Sequence, residues 1–243
     1  MEWDVERWML NVNSPRCDRI LESYESVLDD TELQRRNRFT VKEHRRRFSL
    51  TRILCRCVLS YYHANVVPGH WRFSTNSFGK PGIANGIANP VRFNLSHSGD
   101  YIVMAVTSDA KVGVDIEQIK LNARRLNIAD NFFSEPEKIW IFEATDEAKI
   151  MRFYQLWTLK EAFMKALGVG LAIPLDSFAI IMMPTGNIEV ELIYPNEHLA
   201  DCRLDHWHLT SHLSEKFALA TVYHSLQRFV RISPLQNAEA LFH

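Results

Sequence analysis

The sequence carries no cysteine framework. Its four cysteines, Cys17, Cys55, Cys57 and Cys202, form no C-x-x-C pair. Cys55 and Cys57 fall in a helical stretch, where a separation of two points their side chains apart. The pattern therefore excludes a zinc clip or a thioredoxin-like centre and reads as buried structural thiols. Charge of one sign is also missing: 28 Lys and Arg against 29 Asp and Glu leave a net charge of −1. That balance excludes wholesale binding to nucleic acid or to an anionic membrane. No stretch approaches the roughly 20 apolar residues of a transmembrane helix. The start, M-E-W-D-V-E-R-W-M-L, has acids where a signal peptide needs a basic region. A cytoplasmic protein is expected. Short-period repeats, low-complexity tracts and an aromatic-basic RNA signature are absent too. What is present is a globular composition, 243 residues with 47% hydrophobic content, enough for one large core or two smaller ones.

The chain is organised around Trp157 to Lys165, W-T-L-K-E-A-F-M-K, inside a pattern running from about Met151 to Leu167. Phe153, Leu156, Trp157, Phe163, Met164 and Leu167 recur at spacings of three and four, which predicts a helix with one buried stripe. Glu161 and Lys165 then lie one turn apart. Alone, they read as a surface ion pair of a few tenths of a kcal/mol. Upstream, Gly113 to Glu117, G-V-D-I-E, reads as a strand in which Asp115 and Glu117 share one face, opposite Val114 and Ile116. Two carboxylates from a strand and a third from a helix suit a hard divalent cation such as magnesium, which prefers oxygen ligands and phosphate partners.

Positive charge is concentrated between Arg35 and Arg56, where Arg36, Arg38, Lys42, Arg45, Arg46, Arg47 and Arg52 face one acid, Glu43. Such a run is usually a solvated helix face. Here Phe48, Leu50, Ile53, Leu54 and Val58 give the same helix a buried side, so its guanidinium groups are held in place and suit phosphate. Gly79-Lys80-Pro81 reads as a turn presenting an ammonium. Strands at 91–95 and 101–106 are joined through Ser96 to Asp100, a hairpin with a polar tip. Asn94, Ser96, His97 and Ser98 gather donors there, where a phosphate is received without burying an unpaired charge. Ser134-Glu135-Pro136-Glu137 is a capping-box pattern opening a helix over Lys138 to Glu147. Further strands are expected at 178–183, 188–193, 206–211 and 217–223. Helices followed by antiparallel strands in each half predict two similar lobes, 1–110 and 111–243.

The segments F-G-K-P, N-L-S-H-S, G-V-D-I-E and W-T-L-K-E-A-F-M-K, in this order and spacing, resemble the 4′-phosphopantetheinyl transferases of the larger, single-chain class that includes the surfactin-synthetase-activating enzyme. The resemblance covers about Asp29 to Tyr223. It implies transfer of the phosphopantetheine arm of coenzyme A to a serine of an acyl or peptidyl carrier protein, releasing adenosine 3′,5′-bisphosphate. The carrier would serve fatty acid, polyketide or nonribosomal peptide synthesis. An α+β pseudo-dimer of two similar lobes, each an antiparallel sheet packed with helices, is implied as well, with the active site in the cleft between them. By position, Asp115, Glu117 and Glu161 correspond to the family's magnesium-binding acids. Lys165 and Lys160 belong to the helix that approaches the pyrophosphate. Lys80, Ser96, His97 and Arg47 fall in coenzyme-binding segments, and Arg35 fits a basic position near Phe39. Glu32 stands where some relatives carry lysine, and Phe48 where one has a hydroxyl residue. The segment from Phe163 to Ile180 resembles the part that meets the carrier.

Breaking a pyrophosphate requires charge neutralisation and fixed positive groups, and the attacking serine requires a base, a role open to Glu161 directly or through water. Two lobes supplying both walls of a cleft predict a monomer. Two other classes fit parts of the pattern: a polyanion-binding protein using the arginine-rich helix, and a magnesium-dependent nucleotide hydrolase.

Overall fold

The computed structural model describes residues 4–200, 202–227 and 230–242. The first half contains β1 (Val5–Asn11), α1 (Arg16–Tyr24), α2 (Asp30–Asn37), α3 (Lys42–Tyr62), β2 (Phe73–Thr75), β3 (Pro81–Ile83), β4 (Arg92–Ser98) and β5 (Tyr101–Thr107). The second contains β6 (Val112–Gln118), α4 (Leu126–Phe132), α5 (Glu135–Phe142), α6 (Asp146–Leu167), β7 (Phe178–Met182), β8 (Ile188–Leu192), β9 (Trp207–Leu213), β10 (Phe217–His224) and β11 (Ile232–Asn237). Among the described residues, no helix is long and apolar enough to cross a membrane.

Two sheets stack face to face, each with its own helix on the outside. The first runs β11-β1-β5-β4 and the second β6-β10-β9. Leu50, Ile53 and Leu54 of α3 pack on Leu10, Ile102 and Met104 of the first sheet. Phe153, Leu159 and Phe163 of α6 pack on Leu209, Ala218 and Val222 of the second. The remaining faces meet as Val103 and Ala105 against Val114, Ile116 and Leu219. Covered on both faces, the middle of β5 is a continuous apolar run rather than an alternating one. This is the expected α+β architecture, with one helix-backed sheet built mainly from each half and β11 of the second half joining the first sheet.

Three local features differ from the sequence reading. The polar tip expected at 96–100 shrinks to Gly99 and Asp100, because Ser96, His97 and Ser98 pair with Val103, Ile102 and Tyr101 inside the β4–β5 ladder. Gly99 makes the tight reversal at φ +53°, a conformation glycine adopts without a Cβ penalty. The helix opened by the Ser134/Glu137 capping box stops at Phe142, and α6 starts afresh at Asp146. Thr145 takes extended backbone angles before it, with Asp146 and Glu147 placed favourably in the first turn. Finally, β11 lies parallel to β1 and returns the chain to the first sheet. Pro234 masks it in the sequence, and a sheet edge tolerates the missing N–H.

Gly113 decides how closely α6 approaches β6. A Cβ there would stand 1.9 Å from the Ala162 carbonyl oxygen and 2.5 Å from the Ala166 nitrogen, both helix backbone atoms. Neither can move without shifting the helix, so Gly113→Ala should cost at least the roughly 1–3 kcal/mol of ordinary overpacking. At about 2–4 °C per kcal/mol for a chain of this size, a thermal melt should show a drop of several degrees. An unchanged melting temperature would mean that α6 is not seated on the β6 backbone.

Candidate active site

The site is built on a seam between the two sheets. Alternate residues of β4 aim side-chain oxygens at alternate N–H groups of β6, whose other edge already pairs with β10. Val114 N donates to Asn94 Oδ1 at 2.9 Å, Ile116 N to Ser96 Oγ at 3.4 Å and Gln118 N to Ser98 Oγ at 3.1 Å. Each serine hydroxyl then donates its proton to an intervening acid: Ser96 to Asp115 Oδ1 at 2.7 Å and Ser98 to Glu117 Oε2 at 2.7 Å. The N-L-S-H-S and G-V-D-I-E motifs are thus two halves of one zipper with a shared period of two. Next to it, the Gly113 contact brings α6 against β6, so the neighbours of Ala162 and Ala166, namely Glu161 and Lys165, reach the same place.

The result is a pocket of about 300 Å³ lined by Leu95, Ser96, His97, Asp115, Glu117, Trp157, Glu161 and Lys165. Lys165 Nζ donates to Asp115 Oδ1 at 2.6 Å and to Ser96 Oγ at 3.0 Å. The helical Glu161–Lys165 ion pair allowed by their spacing is not formed, because Lys165 turns to Asp115 instead. Asp115 is 3% exposed, and its Oδ2 has no hydrogen-bond partner. Burial raises its pKa against the pull of Lys165 and Ser96, with Glu117 adding to the rise. Glu161 is raised as well, first by desolvation and then by the charge of Asp115. The pKa of His97 is lowered by burial and then by the neighbouring Arg47 charge. The pocket therefore holds negative charge that its own cations do not fully offset.

Of the residues singled out in the sequence, Asp115, Glu117, Glu161, Lys165, Ser96 and His97 come together, with Arg47 close enough to act on His97. Arg35 lies elsewhere on the basic face, its guanidinium 5.6 Å from the Phe48 ring. Lys80 and Lys160 are not brought to the pocket. Lys80 Nζ donates to the carbonyls of Lys165, Val112 and Ala166 at 2.6, 3.0 and 3.1 Å. Its pKa is pushed down to about 8 by burial, and it ties the F-G-K-P turn to the end of α6. Lys160 is fully buried on the far side of α6, 2.7 Å and 2.8 Å from the Glu137 carboxylate oxygens and 2.7 Å from the Phe178 carbonyl. One helical position separates it from Glu161, so the two side chains point to different layers. A larger cleft of about 1520 Å³ at the other end of the seam holds Lys80, Arg92 and Lys111 but not Asp115, Glu117 or Glu161.

Much of the arginine run is spent locally. Arg36 pairs with Glu25, Arg46 with Asp18, Arg52 with Glu32, and the fully buried Arg56 with Asp29 and Glu32. A helix whose guanidinium groups are so committed is a poor continuous polyanion face. Sequence reasoning missed the double duty of Ser98 and the place of Trp157 in the pocket wall. The shared alternation of residues 94, 96, 98 with 114, 116, 118 was the available signal for the first.

These features define a class of molecule, a two-lobed α+β protein with a carboxylate- and lysine-lined pocket at the lobe junction. Comparison with known proteins makes the class specific. Residues 111–222 match the family described as the 4′-phosphopantetheinyl transferase superfamily, and residues 14–109 match the 4′-phosphopantetheinyl transferase N-terminal family. The chain is 34% identical to the 4′-phosphopantetheinyl transferase HetI of Nostoc over 183 residues, 75% of this chain and 76% of the relative. It is 34% identical to the 4′-phosphopantetheinyl transferase Sfp of Bacillus subtilis over 177 residues, 73% and 75% of the two chains. A crystal structure of a Bacillus anthracis holo-(acyl-carrier-protein) synthase in complex with CoA overlays 47% of this chain and 94% of its own, at 19% identity and a TM-score of 0.39. The chain belongs to the 4′-phosphopantetheinyl transferase superfamily and is an enzyme of that class.

The raised pKa of Glu161 has a measurable sign. An acid whose folded-state pKa lies above its unfolded value contributes stability only below the unfolded value and loses it as pH rises through the folded one. At neutral pH the ionised Glu161 therefore costs stability. Glu161→Gln should melt above the parent at pH 7, and the gap should close as pH falls through the raised folded-state pKa down to the ordinary carboxylate value, where the parent is neutral too. A lower melting temperature for the variant at pH 7 would contradict this electrostatic picture.

Proposed function

We propose that this enzyme moves the 4′-phosphopantetheine arm of coenzyme A onto a serine of an acyl or peptidyl carrier protein and releases adenosine 3′,5′-bisphosphate. The observation carrying this reading is the unpartnered, buried Asp115 Oδ2 beside Glu117, Glu161 and Lys165 at the lobe junction. Among the described residues, no three acid, histidine or cysteine side chains form a ready-made metal cage. Asp115 Oδ1 is held by Lys165 and Ser96, and Glu117 Oε2 by Ser98. The donor set nevertheless fits a hard cation: it is all-oxygen and partly orphaned, and burial raises the pKa of Asp115 and Glu161. Asp115, Glu117 and Glu161 would hold Mg2+, which supplies neutralisation of the pyrophosphate charge when bound.

The serine oxygen of the carrier forms a bond to the phosphorus of the pantetheine arm. The bond from that phosphorus to the bridging oxygen breaks, and the bridging oxygen departs with the adenosine bisphosphate. Glu161 takes the serine proton, directly or through a water, from its place on α6 beside Asp115 and Lys165. Lys165 holds phosphate oxygens in line. Arg47 and His97 would receive the adenosine 3′-phosphate, with Arg35 further along the basic face. Lys80 and Lys160 serve by fixing the turn and the helix. The division into lobes 1–110 and 111–243, with β11 crossing back to the first sheet, belongs to the same reading, as do a single working chain and a cytoplasmic setting. The single working chain is supported by both walls of the pocket coming from one chain.

The test is mass spectrometry of an apo carrier protein incubated with coenzyme A and magnesium, which should gain one phosphopantetheine unit. Asp115→Asn keeps the size of the side chain but removes its charge, so at limiting magnesium the rate should fall by roughly a hundredfold or more while the circular dichroism spectrum is retained. A carrier of unchanged mass, or a full rate from Asp115→Asn, would refute the proposal.

A further inference from the structure

We infer that Ser98, which lies outside the set assigned above to substrate or cation, is a positioning residue for Glu117. This inference rests on the reading that Glu117 is one of the cation-holding acids. Of the three acids, Asp115 alone has a lysine partner, and Glu117 is held instead by a serine. Asp115 is anchored by Lys165 and Ser96, whereas the hydrogen-bonding partner of the Glu117 carboxylate is the Ser98 hydroxyl, donating to Oε2 at 2.7 Å. The same Ser98 oxygen accepts from Gln118 N at 3.1 Å, so the hydroxyl cannot rotate its proton away without disturbing the seam. One lone pair faces the N–H, and the proton is left aimed at the acid. Because Oε2 is taken, Oε1 is the carboxylate oxygen left free to face the pocket.

The end of β4 is built to hold this arrangement. Ser98 pairs with Tyr101 in the strand ladder, and the reversal follows at once through Gly99, φ +53°. The Gln118 side chain fills the space over Gly99, where an added Cβ would meet its Oε1 at 2.0 Å. Gln118 is thereby kept over the turn while its N–H is kept on Ser98. The three-part contact of turn, serine and Gln118 fixes the register of the last acid on β6 against β4. Asn94 offers an internal control. It accepts from Val114 N in the same seam at 2.9 Å, yet its oxygen takes no carboxylate as a partner.

Binding of Mn2+, followed by electron paramagnetic resonance on the full chain with coenzyme A and no carrier protein, reads the effect without turnover. Ser98→Ala should weaken Mn2+ binding by about tenfold, the scale of a lost outer-sphere hydrogen bond to a metal ligand. Ser98→Thr, which keeps the hydroxyl, should stay within about threefold of the parent. In a Glu117→Gln background, itself weakened, Ser98→Ala should add nothing further, because the group it orients is gone. Asn94→Ala should lower the melting temperature while leaving Mn2+ affinity in place. Unchanged Mn2+ affinity in Ser98→Ala, alongside weakening in Glu117→Gln, would overturn the positioning role alone. Full Mn2+ affinity in Glu117→Gln would instead remove Glu117 from the cation site and overturn the inference together with the reading beneath it. An equal loss in Asn94→Ala would show that seam integrity, not orientation of the carboxylate, is what the ion senses.

Discussion

The molecule depends on how the free edge of β6 is satisfied. An unpaired strand edge inside a protein leaves N–H groups that cost about 1–3 kcal/mol each if they find no acceptor. Here the acceptors are not a neighbouring backbone but the side chains of Asn94, Ser96 and Ser98, which reach across from a second sheet. The substitution has a chemical consequence. A backbone carbonyl only accepts, whereas a serine hydroxyl accepts and donates, so the oxygens that close the edge also deliver protons to Asp115 and Glu117. Lobe docking and orientation of the acids are thereby one interaction. Gly113 supplies the other half by letting α6 touch the strand backbone, which sets Glu161 and Lys165 opposite the two acids.

Around that seam, rigidity comes from buried ion pairs that touch no substrate. Glu137 accepts from Lys160, from the Ile180 amide and from the nitrogen and hydroxyl of Ser134, joining α5, α6 and β7 at one carboxylate. Arg56 plays the same part in the first lobe, donating to Asp29, Glu32 and the carbonyls of Pro68 and Trp71. Buried pairs of this kind add little net stability over an apolar core, but removing one member strands the other. Their use here is to fix the rotation of α6, which carries Glu161 and Lys165 to the pocket, and of α3, which carries Arg47 near His97.

The fold and the site were legible to different depths. Periodicity placed α3, α6 and most strands because each buries one continuous stripe, and four short motifs pointed to the acids and Lys165. What stayed hidden depends on long-range partners. Lys160 looks like a second active-site cation until Glu137, 23 residues away, is found against it. The arginine run looks like an anion site until Glu25, Asp18, Glu32 and Asp29 take four of its members. Glu32 proves to be the acid that holds Arg52 and Arg56. The strand β11 was invisible because a proline sits in it and its partner lies at the opposite end of the chain.

The central claim is that side chains of β4 close the edge of β6. Amide hydrogen exchange measured residue by residue over Val112–Gln118 tests it most directly, since an N–H exchanges through local opening unless something holds it. The account predicts that the amides of Val114, Ile116 and Gln118, which face β4, exchange nearly as slowly as those of Gly113, Asp115 and Glu117, which face β10. Fast exchange at the three β4-facing amides, with slow exchange at their neighbours, would show an open edge and contradict the seam on which the site is built.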